Sequence, residues 1–555
     1  MDRARHKRNY DLHSWSGVTL GLFIYVVAFT GCFALFYHEV QTWEDPARRL
    51  PMVEEPVDMQ ATLNDWIAEK TAGDLHIDFL TFTYPSEVEP YYSAFLGVDI
   101  PREGGGHDHE FSTQRWDPAT GEALPERGEG LSLWLLEIHR KLMWPDFLGG
   151  VTVGRGIVGI AGVILLMSII TGVIAHTKIL EELFTLRFFR SMRLKWQDAH
   201  KVFGLWGLPF YVMIAITGAV LGVVTLLAPV IALLTFKGDQ EALIAAVLGE
   251  PQAPAGVEAQ MISVDELRTL TEPTSGERLR YVVMNNFGDA NAYFDLYFDP
   301  DTELMSVEGY QISGVTGERM EEGASEDSAI DTSTPANRVL ATMTPLHYGT
   351  YGGISLKFLY FVLGLALAVI TGLGMMMWVE RRKHGNVGSR SPQFYHALSK
   401  LTVGVTCGLP LATAAVFYAD RLAPVAPEGR LAVVGWTYFL VWSGAIGFSL
   451  FRNDDYRTVR ELLAASGALL AGVPLLDMAT TGDFFLLSIF VGAGPEVWVN
   501  LSCLVIGVLT VLSAVSLPRT RTDNSRRKEE TAMMTSLRRE FSDIAADEIV
   551  SVQNR

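Results

Sequence analysis

The sequence is poor in cysteine, in charge and in basic residues. Of its 555 residues, three are cysteine and 19% are charged, with 44 Lys and Arg against 63 Asp and Glu. Three cysteines without a Cys-x-x-Cys spacing exclude a disulfide scaffold, a thiolate-bound zinc site and covalently attached c-type haem. The net charge of −19 argues against nucleic-acid binding, which requires clustered Lys and Arg. In soluble proteins about a quarter of the residues are charged, so the lower charged fraction of this chain indicates that much of it lies in a lipid bilayer.

Long apolar runs are abundant. A membrane helix needs about 20 predominantly apolar residues. Runs of this kind occupy 17–37, 155–175, 203–235, 355–379, 399–419, 431–451 and 497–517, and a shorter run at 462–476 makes an eighth. The first run is too long for a cleaved signal peptide and is interpreted as an anchor. The sequence therefore predicts a mainly α-helical membrane protein with about eight transmembrane helices.

Basic residues alternate between the connections of these helices. The segment before the first run, the segments around 178–201, 381–383 and 452–460, and the tail around 519–528 are all basic. Because basic connections stay in the cytoplasm, both termini are predicted to be cytoplasmic. The two long connections on the other side are then exported. Residues 237–346, which form the second of them, carry 6 Lys and Arg against 20 Asp and Glu, a net charge of −14.

These patterns predict an order of segments along the chain. The segments are 1–38, the cytoplasmic N-terminus and first transmembrane helix; 39–150, a first exported domain; 151–235, helices 2 and 3 with their basic connection; 236–346, a second, acidic exported domain; 347–383, helix 4; 395–517, accessory helices 5–8; and 518–555, a cytoplasmic tail.

The first 380 residues contain an internal repeat. His13 precedes Thr30-Gly31 by 17 residues, and His200 precedes Thr217-Gly218 by the same 17. Further matching elements are Thr171-Gly172 with Thr371-Gly372, Ile138-His139 with Leu346-His347, and the segment 116–121 with 298–303. Each copy is predicted to consist of a helix, an exported α+β domain and a second helix. Residues 280–287 and 291–298 predict a hairpin around Gly288-Asp289, and 60–70 and 262–270 predict helices.

Six of the 12 histidines lie near the ends of the first four spans. A b-type haem needs two axial side chains with no fixed linear spacing, and facing helices of a bundle can supply them. Pairing by the repeat joins His13 with His200 and His139 with His347, which predicts two haems, one near each membrane face. His176 is an alternative on the cytoplasmic side. His38 lies about 37 Å along a helix from His13, past the bilayer, and is the weaker candidate. The competing interpretation makes these histidines interfacial residues.

Other polar groups are candidate neighbours of such haems. Asp198 could fix an imidazole tautomer, and Arg155, Lys178 and Lys201 could pair with propionates; each is alternatively a membrane anchor. His107-Asp108-His109-Glu110 has metal-type ligands, but it follows three glycines and predicts a flexible exposed loop. The Gly-x-Gly-x-x-Gly pattern at 154–159 opens a membrane helix, so it favours close helix packing over dinucleotide binding. No catalytic residue is assigned.

Several ordered motifs between residues 8 and 383 resemble the PepSY-associated transmembrane helix family. They are Leu12-His13-Ser14-Trp15-Ser16-Gly17, the four Thr-Gly pairs, Leu346-His347-Tyr348-Gly349, Trp196-Gln197-Asp198-Ala199-His200 and the stretch from Thr171 to Lys178. The resemblance implies a four-helix haem-binding core, two small PepSY-like periplasmic domains, and a place in a bacterial inner membrane. It also implies b-type haem and the reduction of ferric siderophores, with His13, His139, His200 and His347, and His176 from a subgroup, matching the family's histidines.

The resulting hypothesis is a dihaem electron carrier that reduces a periplasmic ferric siderophore or other ferric chelate during iron uptake. No flavin or nicotinamide module is visible, so electrons are expected from quinol or from a separate cytoplasmic reductase. One alternative is a haem b subunit of a respiratory membrane complex, with 395–517 as its docking surface. Another is a non-enzymatic protein whose PepSY-like domains bind or regulate exported proteins.

Overall fold

The structure is a computed structural model. It describes residues 3–71, 75–86, 89–101, 107–176, 179–184, 192–248, 252–275, 278–298, 309–320, 335–383, 390–424, 426–484 and 494–517.

Helices dominate the fold. In chain order they are α1 (Arg3–Ala34), α2 (Tyr37–Glu44), α3 (Gln60–Lys70), α4 (Leu131–Arg140), α5 (Gly150–Ala175), α6 (Ile179–Glu182), α7 (Met192–Trp206), α8 (Leu208–Thr235), α9 (Gln240–Leu248), α10 (Val264–Ser275), α11 (Pro335–Tyr348), α12 (Gly353–Lys383), α13 (Pro392–Leu422), α14 (Arg430–Phe451), α15 (Asp455–Thr481) and α16 (Pro495–Ser516). Within the described ranges, eight of them are long and apolar enough to cross a membrane: α1, α5, α8 and α12 to α16. The short run at 462–476 is thus confirmed as part of a full-length helix, α15.

The first four long helices form a closed ring. Helix α1 packs on α5 and α12, and α8 packs on the same two helices from the other side. Within this ring, helices α5 and α8 lie so close together that a Cβ on Gly222 would be 2.5 Å from the Cα of Gly159. The glycines at 154–159 therefore serve helix packing, as the sequence indicated.

Helices α13 to α16 form a second group beside this ring. Helix α13 packs on α12, α14 and α15, and α15 packs on α16. One apolar core runs through both groups, from Phe29 on α1 to Leu409 and Phe417 on α13 and Cys503 on α16. The accessory helices are therefore built into the same body as the ring.

The two segments predicted as separate exported domains share one sheet. Its strands are β1 (His76–Thr83), β2 (Tyr92–Pro101), β3 (His107–Trp116), β4 (Leu279–Asn285), β5 (Tyr293–Phe298) and β6 (Gly309–Ser313), in the order β3-β2-β1-β4-β5-β6 with all neighbours antiparallel. The predicted hairpin is confirmed as β4 and β5. Pairing β1 with β4 covers an edge that each three-stranded half would otherwise expose.

The repeat is visible in this sheet. Helices α3 and α10 precede the two halves and contribute Leu63, Trp66 and Leu267 to one core with the buried strand residues. The predicted match of 116–121 with 298–303 falls mostly on residues 299–303, which lie outside the described residues. The structural counterpart of the turn after β3 is 313–318, where Ser313 N–H bonds Glu318 O as Asp117 N–H bonds Glu122 O. Both turns place a glycine at positive φ, Gly121 at 73° and Gly317 at 72°.

Candidate functional site

Two histidines meet at the end of the helical ring that lies away from the sheet. His13 is on α1 and His200 on α7, and their ring centroids are 6.2 Å apart at an interplanar angle of 65°. The Nδ1 of His13 donates to Ser168 O at 2.8 Å. The Nδ1 of His200 donates to Ile370 O at 2.8 Å. Each imidazole is therefore held by a backbone carbonyl of a neighbouring long helix.

A second histidine pair lies at the end near the sheet, called the sheet side below. His139 on α4 and His347 on α11 have ring centroids 6.2 Å apart and nearly parallel planes, at 17°. The Nδ1 of His139 donates to Val27 O at 3.0 Å. The Nδ1 of His347 lies 2.9 Å from the Thr217 hydroxyl. Because that hydroxyl donates to Met213 O, it accepts from the imidazole.

Each of the four imidazoles lies against a glycine of a long helix. A Cβ would come within 3.2 Å of the imidazole Cε1 at all four glycines, namely Gly172 under His13, Gly374 under His200, Gly31 under His139 and Gly218 under His347. Three of these glycines belong to the Thr-Gly pairs of the sequence. In the fourth pair Gly372 contacts Thr406 and Tyr25 instead, and Gly374 takes its place. Sequence reasoning found the motif but not its contact with the histidines.

The hydrogen bonds leave the same nitrogen available in all four rings. With Nδ1 as the donor, the neutral imidazole keeps its lone pair on Nε2. No described residue makes a hydrogen bond to any of these four Nε2 atoms. Two axial metal–nitrogen bonds of about 2 Å each, with about 1 Å more from each bonding nitrogen to the centre of its ring, give a centroid separation close to the observed 6.2 Å. Both pairs therefore fit the axial ligation of one haem iron each.

The two pairs follow from the repeat. In each copy the first long helix carries one histidine-contacting glycine and the second carries the other, and each pair joins one histidine from each copy. His13 and Gly31 are 18 residues apart on α1, so the two levels are separated by roughly 27 Å along the helix. That distance is close to the hydrocarbon thickness of a bilayer, about 30 Å.

Arg155, which the sequence suggested as a propionate partner, has a buried nitrogen without a hydrogen-bond partner among the described residues. It lies near the start of α5, and the nitrogen is its Nε. A buried guanidinium nitrogen without an acceptor is rarely tolerated. An anionic group bound at the sheet side would satisfy it.

The remaining candidates lie elsewhere or have other contacts. Lys201 forms an ion pair with Glu182, and His176 Nε2 lies 3.5 Å from the same carboxylate rather than beside another imidazole. Asp198 is buried and precedes His200 on α7 by two residues. His38 Nδ1 lies 3.4 Å from Glu89. Lys178 lies outside the described residues.

Two buried acids position α4, the helix that carries His139. Glu44 accepts from both the backbone N–H (2.8 Å) and the hydroxyl (2.6 Å) of Ser132. Asp420, on the accessory helix α13, accepts from Leu131 N–H at 3.4 Å and from Arg430 at 2.5 Å. Because α4 begins with unpaired N–H groups, carboxylates there cap it favourably. Sequence reasoning did not identify these residues.

A separate cluster of metal-type ligands lies on the sheet. The predicted flexible loop at 107–110 is wrong, since His109 and Glu110 lie in β3. Cross-strand register places His109 beside Asp99 on β2, and the ligand atoms of Asp78, Asp99 and His109 lie within 4.8 Å of one another. His109 Nδ1 is 2.9 Å from Asp99 and 3.6 Å from Asp78. Asp78 and His109 are exposed and Asp99 is half-buried, so the three side chains form a cluster at the surface of the sheet.

The helices and paired histidines define a multi-pass membrane protein with two histidine pairs in a repeated four-helix ring. The family of the PepSY-associated TM region matches residues 10–381, more than half of the chain, and the chain belongs to this family. The match ends at α12, so α13 to α16 lie outside it. The chain is also 23% identical over 350 residues to the uncharacterized protein PA4219 of Pseudomonas aeruginosa, covering 60% of this chain and 83% of that protein.

Proposed function

We propose that this protein is a dihaem electron carrier of a bacterial inner membrane that reduces a ferric siderophore or another ferric chelate. The observation that carries the proposal is the pair of histidine sets, each with ring centroids 6.2 Å apart and each with Nδ1 engaged. His13 with His200, and His139 with His347, would each hold one b-type haem. When bound, such a haem carries one electron at a time between ferric and ferrous iron.

The protein's own residues orient and insulate these positions. Carbonyl acceptors fix the imidazole tautomers at three sites and the Thr217 hydroxyl fixes the fourth. The glycines let each imidazole lie close against a helix backbone. Arg155 offers a cation for a propionate on the sheet side. In this proposal both termini lie in the cytoplasm and the sheet lies in the periplasm, consistent with the alternation of basic connections.

The chelate would dock at the sheet side, next to the His139–His347 pair. Siderophore oxygens are hard ligands that hold Fe(III) more tightly than Fe(II), so adding one electron loosens the chelate.

Optical spectroscopy of the purified protein tests the proposal. We expect reducible b-type absorbance and about two haems per chain. His200→Ala should remove one haem, whereas His176→Ala, a matched change on the same side of the ring, should leave both. A protein without haem that co-purifies with an exported partner would instead support the binding-protein alternative.

A further inference from the structure

An apolar pocket lies between the histidine-bearing ring and the accessory helices, on the sheet side. About 640 Å³ of space, open solvent at the mouth included, lies between its walls, which include Phe33, Phe361, Phe417, Leu470 and Cys503. Ile354 and Trp498 also line it and are 39% and 45% exposed. Both lie near the first turns of membrane-length helices, so the mouth faces lipid.

One ion pair interrupts this apolar lining. Glu39, on α2, is 6% exposed, and its Oε1 accepts from Lys357 Nζ at 2.7 Å. Its other oxygen, Oε2, is buried and has no hydrogen-bond partner among the described residues. A buried acceptor of this kind is the place where a ligand hydroxyl would bind.

We infer that this pocket binds a membrane quinol, whose hydroxyl donates to Glu39 Oε2 and whose apolar body fills the aromatic walls. The inference rests on the proposed function and names its electron donor. A quinol combines the required features: it reaches the pocket through lipid, it is apolar over most of its surface, and it carries hydroxyl donors. A phospholipid phosphate would be repelled by the Glu39 carboxylate. Lys357, the cation that could attract the phosphate, is already paired with that carboxylate.

The pocket lies close to the sheet-side histidines. Phe33 lines it, and Gly31, two residues earlier on α1, contacts His139. At 3.6 residues per turn, two residues place these contacts on nearly opposite faces of α1, so the pocket and His139 are separated by about one helix diameter, roughly 10 Å.

One quinol loses two O–H protons and two electrons and becomes a quinone. Glu39 takes up a proton from the hydroxyl that it binds and passes it to water, and the second proton leaves to water directly. The haems that the two histidine pairs would hold would supply the acceptor for these electrons, one electron per haem iron, and two ferric chelates would be reduced for each quinol oxidised.

Photolabelling of the full-length protein tests the site without using activity. The probe is an azido-quinone with a short isoprenoid tail, applied to protein in phospholipid nanodiscs. We expect cross-links in 33–40, 354–361 and 498–506 that an excess of unlabelled quinone removes. Ser502→Phe, which fills the pocket, should lower labelling about tenfold. Leu509→Phe, on the exposed surface of the same helix and outside the pocket, should leave labelling unchanged.

A second measurement separates this inference from the proposed function. Glu39→Gln keeps the side-chain shape and should slow haem reduction by quinol about tenfold, with the dithionite-reduced spectrum unchanged. Haem that is present but not reduced by quinol, with no competed labelling in the pocket, would overturn the inference and leave the proposed function intact. Labelling in the pocket of a protein without haem would overturn the donor role and the proposed function together. Labelling removed equally by added phospholipid and unaffected by Glu39→Gln would show a lipid site and also overturn the inference.

Discussion

The imidazole of His139 lies directly against Gly31 of the first helix. A Cβ on Gly31 would be 2.8 Å from Cε1 of that ring, closer than carbon atoms pack. The same contact recurs at the three other histidines, so the spacing between each helix and its imidazole depends on the absence of a side chain.

Gly31→Val should displace His139 and abolish haem binding on the sheet side. We expect the haem content to fall from about two to about one per chain, because the His13–His200 pair lies at the other level. The measurement is the pyridine haemochrome per mole of protein. Gly17→Val is the matched control on the same helix, since nothing lies within 4 Å of its Cβ position. Equal haem loss in both variants would contradict the role of the contact.

Gly435→Leu should produce the same loss from a distant position. Gly435 lies on α14, and a Cβ there would be 2.5 Å from Cζ3 of Trp134, a buried residue of α4. Pushing Trp134 away moves the helix that presents His139. Gly444→Leu, on the same helix with open space around its Cβ position, serves as the control. Haem content that stays at the wild-type value in Gly435→Leu would reject a positioning role for the accessory helices.

Asp477→Ala should destabilise the protein strongly. This buried carboxylate accepts from Arg49 at 2.8 Å, Arg421 at 2.6 Å and Asn500 at 2.7 Å. Its removal leaves the buried Arg421 guanidinium without its ion-pair partner, which costs about 3–5 kcal/mol. Glu461→Ala, which removes a partly exposed partner of Arg457, should cost about 1 kcal/mol or less. Thermal unfolding in detergent measures both changes, and equal shifts would contradict the assignment.

Glu89→Gln should destabilise the sheet side in a pH-dependent way. Burial raises the pKa of Glu89, but the hydrogen bond and charge of His38, with the charges of Arg280 and Arg48, outweigh it and lower the pKa from 4.5 to about 2. Because the pKa is lower in the folded state, this stabilisation is complete above pH 4.5 and disappears as the pH falls through about 2. The difference in unfolding temperature between wild type and Glu89→Gln should therefore shrink over this interval. A difference that stays constant with pH would contradict the prediction.

Much of the helical architecture follows from local sequence. Apolar runs predicted the eight long helices, and alternating Tyr, Val and Phe with a Gly-Asp turn predicted the hairpin of β4 and β5. These features are local because hydropathy and turn chemistry act over a few residues. The repeat also paired the histidines that the structure brings together, since each pair joins one histidine from each copy.

What the sequence by itself determined is the number of long helices, the repeat and the candidate histidines. Tertiary structure alone decided the strand pairing, the histidine–glycine contacts and the position of α4, because these depend on which surfaces of the folded chain meet. Joining β1 to β4 made one sheet from two segments nearly 200 residues apart. The choice of Gly374 over Gly372 depends on how α7 lies across α12. The seating of α4 on Glu44, Asp420 and Gly435 depends on helices distant in the chain, and no local pattern of residues encodes such contacts.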